Sequence, residues 1–212
     1  QPSCYRRRLF HIIPTNPIII IGFTKGRPMT TTETSPAINT VNIEAVAGLA
    51  AKIQESPEVA STTWKAAVTW EQGFRSTASI RDFAPIGSDE PAGLGGTDTA
   101  PNPVEQLLAA LGNCLAVGYA ANATAAGVAI NDLRIELEGD LDLHTFLGLN
   151  PGGNAGFQGI RAKVIIDADA PAETIEELHR LVTGTSPVGH TLARAVPIQV
   201  DLAERTISEV PA

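Results

Sequence analysis

Cys114 has the most intrinsic reactivity of any side chain in this 212-residue sequence, which contains two cysteines. It falls within PVEQLLAALGNCLAVGYAANATAAG, with Leu107, Leu111 and Gly118 at helical spacing around it. A cysteine on so apolar a helix is by default a small buried hydrophobe. To act as a nucleophile it must be a thiolate, and no cation lies near it in the sequence. It also sits well past the first helical turn, where the helix dipole would help. A cation must therefore come from elsewhere, and Arg75 and Arg81, ahead of the helix, are the candidates. Each taken alone reads as an exposed strand charge. Glu105 could orient such an arginine, although by itself it reads as a first-turn acid favoured by the dipole. Glu105 and Cys114 are nine residues apart, which is about 180° around an ideal helix and roughly 13 Å along it. They cannot touch within one straight helix, so an arginine bridges them or the helix bends, with Gly112 as the place to do so.

Other chemistries find less support. His144, His179 and His190 form no HxH, HxxxH or Cys-paired spacing, so a shared metal is not expected. No GxGxxG, GxxxxGK[ST] or GxSxG motif is present, and no cofactor is expected. The cluster Gly93, Leu94, Gly95 and Gly96 lacks a lysine and reads as a turn-rich loop.

Around these residues the chain divides into recognisable elements. Residues 30–40, TTTETSPAINT, are polar and turn-prone and read as a flexible lead-in. Residues 41–54 carry apolar positions at mostly helical spacing. In WKAAVTWEQGFRSTASIRDF, Trp64, Ala66, Val68 and Trp70 alternate with Lys65, Ala67 and Thr69, which predicts two half-buried antiparallel strands joined at Gln72 and Gly73. Residues 84–102 form a long Gly- and Pro-rich loop, of the kind that is functional or wraps another chain. Pro103 behind Asn102 then opens a helix that has no charge after Glu105 and reads as apolar all round, hence as the central buried helix. Two β-rich runs flank the loop LGLNPGGNAG, PAETIEELHRLVTGTS follows as a helix, and a short segment SPVGHTLAR leads to a last strand, VPIQVDL. Strands, helix, strands, helix, strand make an α+β domain. The long loops lead us to expect a pocket lined by Leu94, Phe146 and Phe157.

Composition narrows the function classes. A chain that is 43% hydrophobic is not disordered in bulk, and its net charge of −8 argues against nucleic acid as a partner. No run of about 18 or more apolar residues occurs, so no membrane span is expected. The first 28 residues differ from the rest, with Arg6, Arg7, Arg8, Lys25 and Arg27 but no acid, and the sole methionine, Met29, follows them. Without them the chain has 10 basic and 23 acidic residues, a net charge of −13. Translation starting at Met29 is the favoured reading, which makes residues 1–28 a non-native or upstream leader. A secretory signal, broken by Pro14 and Pro17, and an added strand on IIIIGF are the alternatives. With Cys4 set aside, one thiol remains, and a lone thiol points to the cytoplasm.

The run DEPAGLGGTDTAPNPVEQLLAALGNCLA, followed by a β-rich half, by TGTSPVGHTL and by a final strand, resembles the OsmC/Ohr family of osmotically inducible and organic hydroperoxide resistance proteins. The resemblance covers about residues 62–203 and divides the chain into the leader, an N-terminal extension over 29–61 and an OsmC-like domain over 62–212. It implies antiparallel sheets packed around a central helix, in an intertwined homodimer, and thiol-dependent reduction of organic hydroperoxides in the oxidative stress response. On this basis Cys114 is the reactive cysteine, Glu105 the acidic residue ahead of it, and Arg75 the arginine, with Arg81 as fallback. The second, resolving cysteine is replaced by Ser186. A hydroxyl cannot condense with a sulfenic acid, so activity would be of the one-cysteine kind, with an external thiol as reductant. The competing reading is a dimeric module that binds a small hydrophobic molecule and has lost the redox cycle.

Overall fold

A computed structural model describes residues 38–203. Helix α1 (Ile43–Glu55) starts where Asn42 accepts a hydrogen bond from the Ala45 amide, close to the predicted 41–54. Strands β1 (Ala67–Gln72), β2 (Arg75–Ser79) and β3 (Ile86–Ser88) make an antiparallel sheet in that order. Trp70 lies opposite Ser76, and Gly73, at φ 60°, makes the turn between β1 and β2. Helix α2 (Pro103–Ala125) follows, then β4 (Ile130–Leu141), the short α3 (Leu143–Phe146), β5 (Phe157–Ala168), α4 (Ala172–Thr185) and α5 (Pro187–Ala193). Strands β4 and β5 form a long antiparallel pair from Ile130 opposite Ala168 to Leu141 opposite Phe157. Mixed α+β architecture with antiparallel sheets is as the sequence predicts.

Helix α2 is set by its ends and by its small residues. Asn102 and Glu105 form a reciprocal capping box, each side chain bonding the other's amide at 2.9 Å, and Pro103 occupies the first turn. Leu111, Leu115, Tyr119 and Ala123 recur every fourth residue and are buried. Leu111, Leu115, Tyr119 and Val182 of α4 form one cluster, joined by Leu137, Ile160 and Val164 from the sheet. Two glycines permit this closeness. A Cβ on Gly118 would stand 2.8 Å from Val182 Cγ1, and one on Gly112 would stand 2.8 Å from Leu137 Cδ1.

The structure corrects or completes the expectations at five places. The expected half-burial holds for β2, at Ser76, Thr77 and Ala78, but not for β1, every residue of which is exposed. Helix α2 is buried on one stripe and not all round, with Val117 69% exposed on its outer side. By length and composition it is also the one described helix apolar enough to cross a membrane, but its apolar stripe packs on protein. SPVGHTLAR forms helix α5, capped by Ser186. Residues 196–202 pair with no strand among the described residues, and their apolar side chains are exposed. The end of the lead-in is anchored: Asn39 Nδ2 donates to Val128 O at 2.9 Å and Asn39 Oδ1 accepts from the Ile130 amide at 2.8 Å. The expectations for residues 1–28 lie outside the described residues.

Candidate active site around Cys114

Cys114 stands one turn beyond Leu111 on α2 and is half-buried, with a free thiol. Its Sγ lies 3.2 Å from Ser186 Oγ, across 72 positions of sequence. Ser186 is buried at the junction of α4 and α5, where its Oγ accepts the Gly189 amide at 3.1 Å and so caps α5. A hydroxyl that accepts this amide can still donate to the Cys114 sulfur or accept from its S–H, so either atom can be the donor in the contact. Gly189 makes room for the turn, since a Cβ there would stand 3.1 Å from Ser186 Oγ.

The other predicted site residues lie elsewhere. Glu105 is committed to the capping box at the start of α2. Asn102, buried between them, also donates to Glu90 Oε2 at 3.3 Å. Arg75 is exposed at the start of β2, and Arg81, in the left-handed region at φ 51°, places its guanidinium 4.5 Å from the centre of the Phe83 ring. Among the described residues neither arginine forms an ion pair, and neither is bonded to Cys114 or Glu105. The structure thus brings Cys114 and Ser186 together and leaves Glu105, Arg75 and Arg81 apart from them within the chain.

The loop between β3 and α2 contains a residue the sequence did not single out. Asp89 is buried and accepts bonds from the amides of Glu90, Thr97 and Thr99 and from the hydroxyls of Thr97 and Thr99. The Thr97 hydroxyl bond is the largest influence, and together these donors hold the Asp89 carboxyl far below its usual range. This knot shapes the loop, which Gln106 Nε2 ties to α2 by donating to Gly87 O at 3.0 Å and Pro101 O at 2.9 Å. The donors lie eight and ten positions beyond Asp89, in Thr97-Asp98-Thr99, so no short motif marks the bond in the sequence.

Two cavities bear on ligand binding. One of about 240 Å³ lies between α2 and β4, lined by Gly112, Asn113 and Ala116 with Leu133, Ile135 and Leu137. The other, of about 520 Å³, lies in the β4–β5 connection around α3. Leu94, Phe146 and Phe157 line neither. Phe157 instead packs against Gly139, where a Cβ would stand 2.7 Å from its ring, and Phe146 is 62% exposed. Among the described residues no three His, Cys, Asp or Glu side chains converge as metal ligands.

The fold resembles that of an OsmC-like protein from Mycoplasma pneumoniae, at 22% identity over 63% of this chain and 89% of that one, with a TM-score of 0.54. An OsmC-like protein of unknown function from Vibrio cholerae is similar at 15% identity, over 62% and 94%, with a TM-score of 0.51. A hypothetical protein from Aquifex aeolicus is similar at 15% identity, over 63% and 89%, with a TM-score of 0.50. At these identities the likeness is one of fold. No curated protein matches the chain. The family model for OsmC-like protein matches residues 96–201, which hold α2, the β4–β5 pair, α4, α5 and both members of the Cys114–Ser186 contact. The chain belongs to the OsmC-like protein family.

Proposed function

We propose that the protein reduces organic hydroperoxides with Cys114 as its only redox residue, working as a homodimer in a reducing compartment, the cytoplasm. The observation that carries this reading is the 3.2 Å contact between Cys114 Sγ and Ser186 Oγ. The two positions that the resemblance assigns to the redox pair are adjacent, and one of them is a hydroxyl.

The chemistry follows from that substitution. The Cys114 thiolate attacks the terminal peroxide oxygen, the O–O bond breaks, and the alcohol leaves with a proton from the medium, so that Cys114 becomes a sulfenic acid. Ser186 donates a hydrogen bond to the sulfur but cannot condense with it. An external thiol attacks the sulfenic sulfur and expels water. A second thiol then releases Cys114 and leaves as the disulfide. Glu105 and Arg75, with Arg81 as the fallback arginine, act on this centre only if a second copy supplies the arginine. In support of that assembly, Trp64, Val68, Trp70 and Phe74 are exposed on and beside the same sheet that carries Arg75. The working unit on this reading is residues 62–212, with 29–61 as an extension.

The test is intact mass after a stoichiometric dose of cumene hydroperoxide with a sulfenate trap present. One adduct on Cys114, formed within seconds and absent in Cys114→Ser, is expected. A thiol that stays free, and is found free after unfolding, overturns the proposal. That outcome favours the second reading, a dimeric module binding a small hydrophobic molecule. The observation on its side is that no cation is bonded to Cys114 among the described residues.

A further inference from the structure

The Ser186 hydroxyl is held between two partners. Its Oγ accepts the Gly189 amide at 3.1 Å and lies 3.2 Å from Cys114 Sγ, and among the described residues it has no other hydrogen-bond partner. Ser186 is only 4% exposed, so bulk water does not compete for the hydroxyl. Its surroundings are tight as well. A Cβ on Gly189 would stand 3.1 Å from Ser186 Oγ and 3.8 Å from Leu111 Cδ1.

The elements that meet at this contact are poor in charge. From Gln106 to Ala125 helix α2 carries no charged side chain, and Val188 and Leu192 of α5 pack on its Leu111 cluster together with the inward, apolar side chains of β4 and β5. The titratable side chains nearest along these elements are engaged elsewhere or make no bond. Glu105 is held in the capping box, Tyr119 of α2 and His179 of α4 bond each other, and His190 of α5 has no side-chain bond. Among the described residues none of them is bonded to Cys114 or Ser186. A charge on the sulfur therefore has one side-chain donor at hydrogen-bond distance, and that donor is Ser186.

A thiol can donate or accept in such a contact, whereas a thiolate can only accept. Once Cys114 is ionised the hydroxyl must donate to it, in a charge-assisted bond, while its oxygen goes on accepting from Gly189. A hydroxyl that donates to an anion is a better acceptor, so the two bonds strengthen together. We propose that Ser186 is a positioning residue of the Cys114 centre: standing where the resemblance puts a resolving thiol, it supplies instead the hydrogen bond that holds the ionised sulfur, and it passes the sulfur's charge on to the Gly189 amide. This deepens the reading of Cys114 as a nucleophile and rests on it, whatever the electrophile.

Two readouts on the full-length protein test this, both followed from mildly acid to alkaline pH. One is the rate of alkylation by iodoacetamide, with the adduct on Cys114 located by peptide mass. The other is the amide shift of Gly189 by NMR. In the wild type the Gly189 shift should show a step with the same midpoint as the alkylation rate, and Cys114→Ala, which leaves His190 in place, should lose that step. Ser186→Gly removes the hydroxyl at little cost to the N-cap, and at neutral pH it should alkylate about tenfold more slowly. Three results overturn the proposal: no alkylation of Cys114, an unchanged rate in Ser186→Gly, or a Gly189 shift with no step that depends on Cys114. The last two would leave Ser186 as the cap of α5 and nothing more. No peroxide enters either readout. Hydroxyl-dependent alkylation without a sulfenate adduct would sink the peroxidase reading and keep this one.

Discussion

The two sheets of this protein are built from similar residues and live in different surroundings. The β4–β5 pair has α2, α4 and α5 across one face, and its alternating side chains meet Leu111, Leu115, Tyr119 and Val182. The β1–β3 sheet has Trp70 and Val68 on β1, both more than two-thirds exposed, and no helix over it. Apolar alternation says which side of a strand seeks cover and does not say what provides it. For β4–β5 the cover is in the same chain. For β1–β3 the proposed cover is a second copy of the chain. The candidate chemistry is split along the same line, with Cys114 and Ser186 in the covered half and Arg75 and Arg81 in the uncovered one.

The largest effect that would sharpen this contrast is loss of Cys114. Cys114→Ser should remove all sulfenate trapping and hydroperoxide turnover while leaving the melting temperature close to wild type, checked by intact mass and thermal unfolding. Within the covered half, Leu115→Ala should destabilise by about 2–5 kcal/mol, since it opens a cavity in the α2 cluster; denaturant unfolding measures it. Ser186→Cys should give a disulfide with Cys114 under mild oxidation, read as a loss of free thiol in the unfolded protein, because the two side chains are already in contact.

Asp89 offers a break point between the halves, since it organises the loop that runs from β3 to α2. Its folded-state carboxyl is depressed, so its contribution is present above the ordinary range, about pH 4, and is lost as pH falls through the lower folded value. Asp89→Asn should lower the melting temperature at pH 7, and the gap to wild type should narrow as pH drops below about 4. The smallest effect is expected from Trp70→Ala. At protein concentrations low enough for monomer it should change stability by no more than about 0.5 kcal/mol, as exposed positions do. At higher concentration it should cost more, with the loss following dilution. A Trp70→Ala variant with the same small effect at every concentration would mean that no second copy covers this sheet.

Several features were legible in the residues because they are local. Asn102-Pro103 with Glu105 three positions past the cap encodes the start of α2. The apolar spacing of α1 and α4 and the turn at Gly73 likewise depend on near neighbours. Two readings went wrong at positions whose state depends on distant partners. Helix α2 has no charge after Glu105, yet only the stripe that meets Val182 and the sheet is covered. The segment 196–202 alternates like a strand and finds no strand beside it among the described residues. α5 was missed because a seven-residue helix shows too little periodicity, although Ser186-Pro187 is a cap followed by a first-turn proline.

By itself the sequence determined the α+β class, the position of the central helix, and the family to which the motif around Cys114 belongs. Tertiary structure decided which groups meet. Cys114 and Ser186 are 72 residues apart, and only the packing of α2 against α4 and α5, permitted by Gly118 and Gly189, sets sulfur beside hydroxyl. Local bonding follows from spacing along the chain, whereas the company a side chain keeps follows from how elements pack.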